Sequence, residues 1–261
     1  PLWQALPGQP AACFALPANW AEVKSLAETG MAGEKLDFAA LAAGLDGPVG
    51  VCWYAKSKLA TPLFLARFKD EASARKLTPL LSKVFEAAIG AHEYNHKNGK
   101  FPAQSKKTQG GTLLSRIVSS PYGNEKPKGD ELGDQLSASR LFRVSLALTG
   151  KIVAFSPDAK LAEDALAVSL KRYPAAGDGL KDAPRTLLRV TPSRLAQLLQ
   201  TEAMAALPKD DEPVFNGAAQ NLLLPRLAAL GRQPAVVAAL PAAPASGLRW
   251  QPLSWSLEGK K

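Results

Sequence analysis

The stretch Gly47 to Phe68, GPVGVCWYAKSKLATPLFLARF, constrains this chain more than any other. It reads as two β-strands joined by a short basic turn. Val49, Val51 and Trp53 alternate with Gly50, Cys52 and Tyr54, so a strand here sends one set to each side. Few of these positions are polar, which implies that both faces are covered and that the strand is central in its sheet. In the second strand Leu63, Leu65 and Ala66 lie among Phe64, Arg67 and Phe68. Pro62 must sit at that strand's start, where no ladder donor is lost. A chain of 261 residues built around such a hairpin can bury a sizeable core.

Read outward from there, helices and strands alternate. Residues 1–10 open the chain with Trp3 and Leu6 as anchors, and Ala11 to Leu16 is a short apolar strand. Pro17 starts a helix, because the missing N–H of proline goes unused in a first turn. Trp20, Val23, Leu26 and Ala27 share its inner face, and Gly30 and Gly33 close it. A second helix, Lys35 to Leu45, buries Leu36, Phe38, Leu41 and Leu45. After the hairpin, Asp70 caps a helix whose apolar face is Leu77, Leu80, Leu81, Val84, Phe85, Ala88 and Ile89. Thr78-Pro79 restarts or kinks that helix, and Gly90 is its natural end. Residues 91–110 are polar and basic, and Thr112 to Ser119 is a strand. Residues 120–137 (SPYGNEKPKGDELGDQLS) read as an exposed, mobile hairpin loop. A second hairpin follows, Leu141 to Leu148 and Ile152 to Phe155, then a helix over 158–172.

The last third repeats an earlier order. A strand, Thr186 to Val190, leads through Thr191-Pro192 to a helix, then a second helix, Glu212 to Leu230. Two strands close the chain, Ala235 to Leu240 and Leu248 to Leu257. Leu16-Pro17 lines up with Thr191-Pro192. The expectation is an α+β fold: an antiparallel sheet with helices mainly on one face, in a single domain over 1–261. Within it, a strand–helix–helix–strand–strand unit is duplicated over 11–90 and 184–258, joined by a hairpin-rich middle, 91–183. The plainer alternative is that this order simply recurs in α+β proteins.

The sharpest chemical motif is His92-Glu93-Tyr94-Asn95-His96, which fits H-E-x-x-H. On a helix that spacing presents two histidines for zinc, with Glu93 as general base. Several features oppose it. The third ligand of the longer form would fall on Pro102, and the chain has two histidines in all. Only a distant carboxylate such as Glu125 or Glu131 could complete the set. Gly90 and Asn98-Gly99 break helices, and Lys97 places a cation beside the metal. The alternative is a polar helix end with both histidines near the negative end of the dipole. No G-x-S-x-G, no phosphate-binding G-x-x-x-x-G-K-[ST] and no dinucleotide fingerprint occurs. We therefore expect no catalytic residue and no cofactor.

The formal charge of +9 favours an anionic partner or simply a solvated basic surface. Lys97, Lys100, Lys106 and Lys107, with Lys126 and Lys128 on the next loop, form the best docking patch. Phe101 is the single aromatic among them, whereas single-strand nucleic-acid binding calls for several. Cys13 and Cys52 fall in core strands. They are either two buried thiols or, if the protein is exported, the ends of a bridge closing a loop of about forty residues. No apolar run approaches the eighteen or so residues of a membrane span. The chain starts at Pro1 without a signal-like segment, so we expect a fragment of something longer.

Several stretches carry a family resemblance. They are Pro1-Leu2-Trp3-Gln4-Ala5-Leu6, Val51-Cys52-Trp53-Tyr54, Thr61-Pro62-Leu63-Phe64, Glu212-Pro213-Val214-Phe215, Ala218-Ala219-Gln220, Leu224-Pro225 and Trp250 to Trp255 (WQPLSW). Together the chain resembles the C-terminal half of the YfaA-like (MagB-like) bacterial proteins, an uncharacterised family of Gram-negative envelopes. The resemblance implies a longer parent with an inner-membrane anchor and a periplasmic body. It also implies genomic company with a bacterial alpha-2-macroglobulin-like protein, a large protease trap, and a place in its complex. It transfers no catalytic residue, and the H-E-x-x-H pentad is not part of its pattern. A periplasmic location suits cysteines that can pair and argues against nucleic acid as the partner of the positive charge. The leading expectation is a non-enzymatic periplasmic scaffold that binds and stabilises the macroglobulin-like inhibitor. A zinc-dependent hydrolase on His92, Glu93 and His96, and a cell-wall or membrane-surface binding module using the basic loops, are the alternatives.

Overall fold

Period-two alternation of apolar residues recurs along most of the chain, and the structure answers it with one sheet. The computed structural model describes residues 2–30, 36–96, 104–108, 111–119, 141–207, 213–241 and 252–258. Within them lie ten strands: β1 (Ala12–Leu16), β2 (Leu45–Trp53), β3 (Leu63–Phe68), β4 (Gln104–Thr108), β5 (Gly111–Ser119), β6 (Leu141–Thr149), β7 (Ile152–Ser156), β8 (Thr186–Val190), β9 (Ala235–Ala239) and β10 (Ser254–Glu258). Every neighbouring pair is antiparallel, in the order β10-β9-β8-β1-β2-β3-β7-β6-β5-β4. The helices are α1 (Trp20–Gly30), α2 (Phe38–Gly44), α3 (Glu71–His96), α4 (Ala159–Ser169), α5 (Pro192–Ala206), α6 (Pro213–Ala218) and α7 (Leu224–Gly231). The fold is α+β.

The opening hairpin is β2 and β3, and β2 is an interior strand with β1 on its other side. Val51 pairs with both Phe14 and Phe64, and Cys52 with both Cys13 and Leu63. The pleat then sorts side chains into two cores. On one face Cys13, Cys52, Leu63, Leu65, Ala147 and Ala154 meet Leu161, Ala162, Ala165 and Leu166 of α4. On the other, Phe68, Val118, Val144, Leu146, Leu148 and Val153 meet Ala74, Leu77, Leu81, Phe85 and Ile89 of α3, with Trp20 of α1 and Leu41 of α2 alongside.

The opening segment is a strap across the α4 face. Trp3 and Leu6 are buried, and the Trp3 indole Nε1 donates to the Thr186 carbonyl at 2.8 Å. Backbone bonds tie Gly8, Ala176 and Gly177 to Pro174, Leu6 and Trp3 respectively. Leu6 lies so close over Gly50 that a β-carbon there would come within 2.9 Å of it, which explains the missing side chain in an otherwise apolar strand.

Several local expectations change. Pro17 lies outside α1, which begins at Trp20. The Asn19 side chain accepts from the backbone N–H of Ala21 (3.2 Å) and Glu22 (3.4 Å), so a cap rather than a proline sets the start. Likewise α2 begins only after Asp37, which caps Ala40 at 2.8 Å, and Leu45 already belongs to β2. Asp70 caps α3 through Ser73. That helix passes Pro79, where the Thr78 and Ser82 hydroxyls bond the Ala74 and Thr78 carbonyls. It also passes Gly90, which lacks the positive φ of a helix-terminating glycine. Residues 104–108 are a strand and not basic loop. The long helix over 212–230 is α6 and α7 joined by a π-helical turn, Ala219–Leu223, just before Pro225, whose missing N–H cannot bond a carbonyl one turn back. The loop expected at 120–137 falls outside the described residues.

The seam between β1 and β8 is where the two halves of the sheet meet, with Phe14 opposite Leu188 and Cys13 opposite Arg189. Outward from it the order is β1-β2-β3 one way and β8-β9-β10 the other. Element order agrees between the halves, but they part at the first helix. Pro192 opens α5, whereas Pro17 precedes α1 by three residues. Order alone does not establish a duplication.

Candidate functional site

The two cysteines are joined. Strands β1 and β2 place Cys13 directly opposite Cys52, with their Cα atoms 4.1 Å apart, and the bridge between them is fully buried. A spacing that short belongs to the close class of antiparallel pair, in which side chains face each other. The chain between them leaves as α1 and α2 and returns as β2, so the bridge closes a loop of 39 residues. By loop-closure entropy that contributes about 4 kcal/mol.

The other expected site residues are more scattered. Helix α3 runs past Gly90 and ends on His92-Glu93-Tyr94-Asn95-His96, so the pentad is helical and forms the helix tail. The side chains of His92, Glu93 and His96 lie outside the described residues. Among the described residues no group of three His, Cys, Asp or Glu side chains is placed to hold a metal ion. Lys106 and Lys107 are exposed on β4, the last strand at one end of the sheet. Lys97, Lys100, Lys126 and Lys128 lie outside the described residues, and so does Phe101.

Most charged contacts are structural. Arg189 on β8 donates to Glu258 on β10 at 2.9 Å and to the Ala176 carbonyl at 2.6 Å, tying the edge strand to the segment that holds the strap. Arg116 on β5 bonds Glu86 of α3 at 2.6 Å. Both guanidinium groups keep Nε buried without an acceptor. Backbone and hydroxyl hydrogen bonds from Ser73 hold the Asp70 carboxyl below its usual range, and the Arg185 side chain does the same for Asp182. Burial, followed by Tyr173 and Asp164, pushes the Tyr54 phenol well above its ordinary value. Its hydroxyl donates to the Pro7 carbonyl at 3.0 Å, so it stays protonated as part of the strap's anchorage.

Two features remain that could engage something outside the chain. The first is the β10 edge. Trp255 and Leu257, two residues apart and so on one side of the strand, are 63% and 45% exposed. Val214, Phe215, Leu222 and Leu253, also in the last third, are exposed as well. The second is an apolar cleft of about 340 Å³ between α1, α2, α3 and the sheet, lined by residues that include Trp20, Phe38, Leu81, Phe85, Leu146 and Phe155. The sequence signals for both were ambiguous. Trp255 sits in an alternating strand like any other, and the cleft residues carry the periodicity of ordinary core.

No helix among the described residues is long and apolar enough to cross a membrane. Residues 1–255 match a family described as "uncharacterized protein conserved in bacteria (DUF2138)". The uncharacterized protein YfaA of Escherichia coli (strain K12) is 36% identical over 257 residues, covering 98% of this chain and 44% of that protein. The chain thus spans less than half the length of this relative. No solved structure matches it. With a match over nearly its whole length, the chain belongs to the DUF2138 family of bacterial proteins.

Proposed function

We propose that this chain is a non-enzymatic docking module of the periplasm that binds and stabilises a bacterial alpha-2-macroglobulin-like protease inhibitor. The observation that carries the reading is the β10 edge, where an end strand with an exposed Trp255 and Leu257 offers backbone hydrogen bonds and apolar anchors together. An incoming extended segment can add to such an edge, with pairing giving affinity and alternate side chains giving selectivity. The buried Cys13–Cys52 bridge supports an oxidising compartment. The resemblance to YfaA-like proteins supplies the partner, and the anchor in the inner membrane belongs to the longer parent.

Co-purification with the macroglobulin-like protein, from cells with and without this chain, tests the proposal. We expect a complex that survives washing and is lost when Trp255 and Leu257 are both replaced by Lys. No association at micromolar concentrations sinks the reading. A zinc hydrolase is the second reading, favoured by the helical course of the H-E-x-x-H pentad. Protein purified without added metal would then carry close to one zinc per chain, and a trace amount would discard it. A surface-binding module on the basic residues is the third. Lys106→Glu and Lys107→Glu together would abolish sedimentation with anionic vesicles or peptidoglycan if it were correct.

A further inference from the structure

We infer that the strap formed by residues 2–10 is a guard on the Cys13–Cys52 bridge, so that lifting the strap opens the bridge to reduction by a dithiol while the sheet stays folded. The inference is independent of the docking edge. Neither cysteine has any exposed surface. Both side chains lie on the face of the sheet that the strap crosses, in one apolar cluster with Trp3 and Leu6. Helix α4 shares that face but packs over β5, β6 and β7, whereas the bridge joins β1 to β2. Leu6 sits directly over Gly50, two residues from Cys52 on the same side of β2. The strap therefore covers the pair of strands that carry the sulfurs.

The strap is tied down by scattered bonds. The Trp3 and Leu6 carbonyls accept from Gly177 and Ala176, Gly8 donates to Pro174, and Pro7 makes an isolated bridge with Ala175. Side chains add the Trp3 indole on the Thr186 carbonyl, the Tyr54 hydroxyl on the Pro7 carbonyl and Arg194 on the Gln9 side chain. By contrast, β1 is held in continuous ladders with β2 and β8. A segment held by scattered bonds opens at lower free energy than the sheet beneath it, and thiol exchange needs access to a sulfur. With the strap lifted, one thiolate of the dithiol attacks a bridge sulfur, forms a mixed disulfide and breaks the Cys13–Cys52 bond. The other cysteine leaves as a thiolate and takes a proton. The second thiolate of the reductant then closes its own disulfide and frees the first cysteine, which is protonated in turn. Two electrons pass to the protein and the dithiol is oxidised. The loop released is the one that carries α1 and α2.

The test is the rate at which dithiothreitol reduces the bridge in the folded 261-residue protein, read by mass after N-ethylmaleimide blocks the freed thiols. Tyr54→Phe removes the hydroxyl that holds Pro7, and Trp3→Phe removes the indole donor to Thr186. Each should speed reduction by about fivefold to tenfold, with a urea dependence well below the slope of global unfolding. Arg116→Met breaks the ion pair between β5 and α3, the helix on the opposite face, and should leave the rate within about twofold. If one strap variant fails to fold by its melting curve, the other is read alone; if neither folds, the urea dependence of the parent's own rate decides. Acceleration by Arg116→Met equal to that by the strap variants, or a rate that follows the full unfolding slope, makes the opening global and overturns the guard. Strap variants reduced no faster than the parent overturn it equally.

Discussion

At one end of the sheet, β4 leaves Ser105, Lys106 and Lys107 exposed; at the other, β10 leaves Trp255 and Leu257 exposed. Both are five-residue strands with one neighbour each among the described strands. Lysines on an edge oppose pairing, because a neighbouring strand would have to bury or crowd their charge. An aromatic and a leucine on one side of an edge do the reverse, offering apolar area that a neighbouring strand can cover. The protection differs beneath the surface too. Arg189 reaches from β8 across β9 to Glu258 and holds the β10 edge to the body, whereas at the far end Arg116 ties β5 to α3 and, among the described residues, β4 is held by its ladder with β5. The edge with the exposed apolar residues is also the one that is pinned. A docking strand with its conformation already fixed loses less entropy on binding.

The largest expected effect tests whether the two ends belong to one cooperative sheet. The Cys13–Cys52 bridge lies between them. Replacing both cysteines by Ala should remove about 4 kcal/mol and lower the melting temperature by roughly 10 °C. Hydrogen exchange should then speed up at β4 and β10 alike. Acceleration confined to one end would show that the halves on either side of the β1–β8 seam unfold separately.

Next in size is the direct contrast. Trp255→Lys with Leu257→Lys gives β10 the character of β4 and should weaken partner binding by a hundredfold or more, since buried aromatics dominate interface energies. Lys106→Glu with Lys107→Glu should leave binding within about twofold. Similar losses from both pairs, measured by titration calorimetry, would erase the distinction between the edges.

A smaller effect separates pinning from pairing. Arg189→Met breaks a partly buried ion pair and a bond to the Ala176 carbonyl, and should reduce stability by about 2 kcal/mol in urea unfolding. Amide protection in β10 should fall first. Arg116→Met should have a similar stability cost with β10 protection intact. If both variants loosen β10 equally, the pin is not local.

The smallest effects are in pH. Asp70 and Asp182 have lowered carboxyl pKa values in the folded state, so their contribution is present above about pH 4 and disappears as pH falls through the folded values. Asp70 caps α3, and Asp182 lies before β8. Asp70→Asn should flatten the acid limb of a stability profile without altering its neutral plateau by more than the loss of one cap. Tyr54 has a raised value, so its contribution is complete below about pH 10 and declines above it. Tyr54→Phe should therefore be less sensitive to alkali than the parent, and an unchanged alkaline limb would contradict the cost of ionising its phenol in the buried site.

Much of this architecture can be read locally. Asp70 and the hairpin of Leu141–Thr149 and Ile152–Ser156 are where short-range rules place them. The central hairpin is a hairpin because its apolar residues alternate and its turn is polar. Rules failed where two local signals competed. Pro17 outweighs Asn19 on propensity alone, yet Asn19 makes the hydrogen bonds. Gly90 looks like a stop, but a glycine ends a helix through positive φ, and the packing of Phe85 and Ile89 onto the sheet carries α3 past it. The sequence QSKKT contains too little apolar character to announce a strand; β4 exists because β5 offers it a partner.

By itself, then, the sequence determined the α+β class, the central hairpin and the residues that alternate into the core, because these follow from pleat, helix period and capping within a few neighbours. Only the tertiary structure decided that Cys13 faces Cys52, that the opening segment straps one face, that β10 rather than β3 or β7 is an edge, and that Trp20 and Phe155 border one cleft. Each of these depends on which distant strands pair, and pairing is settled by the summed burial of whole faces.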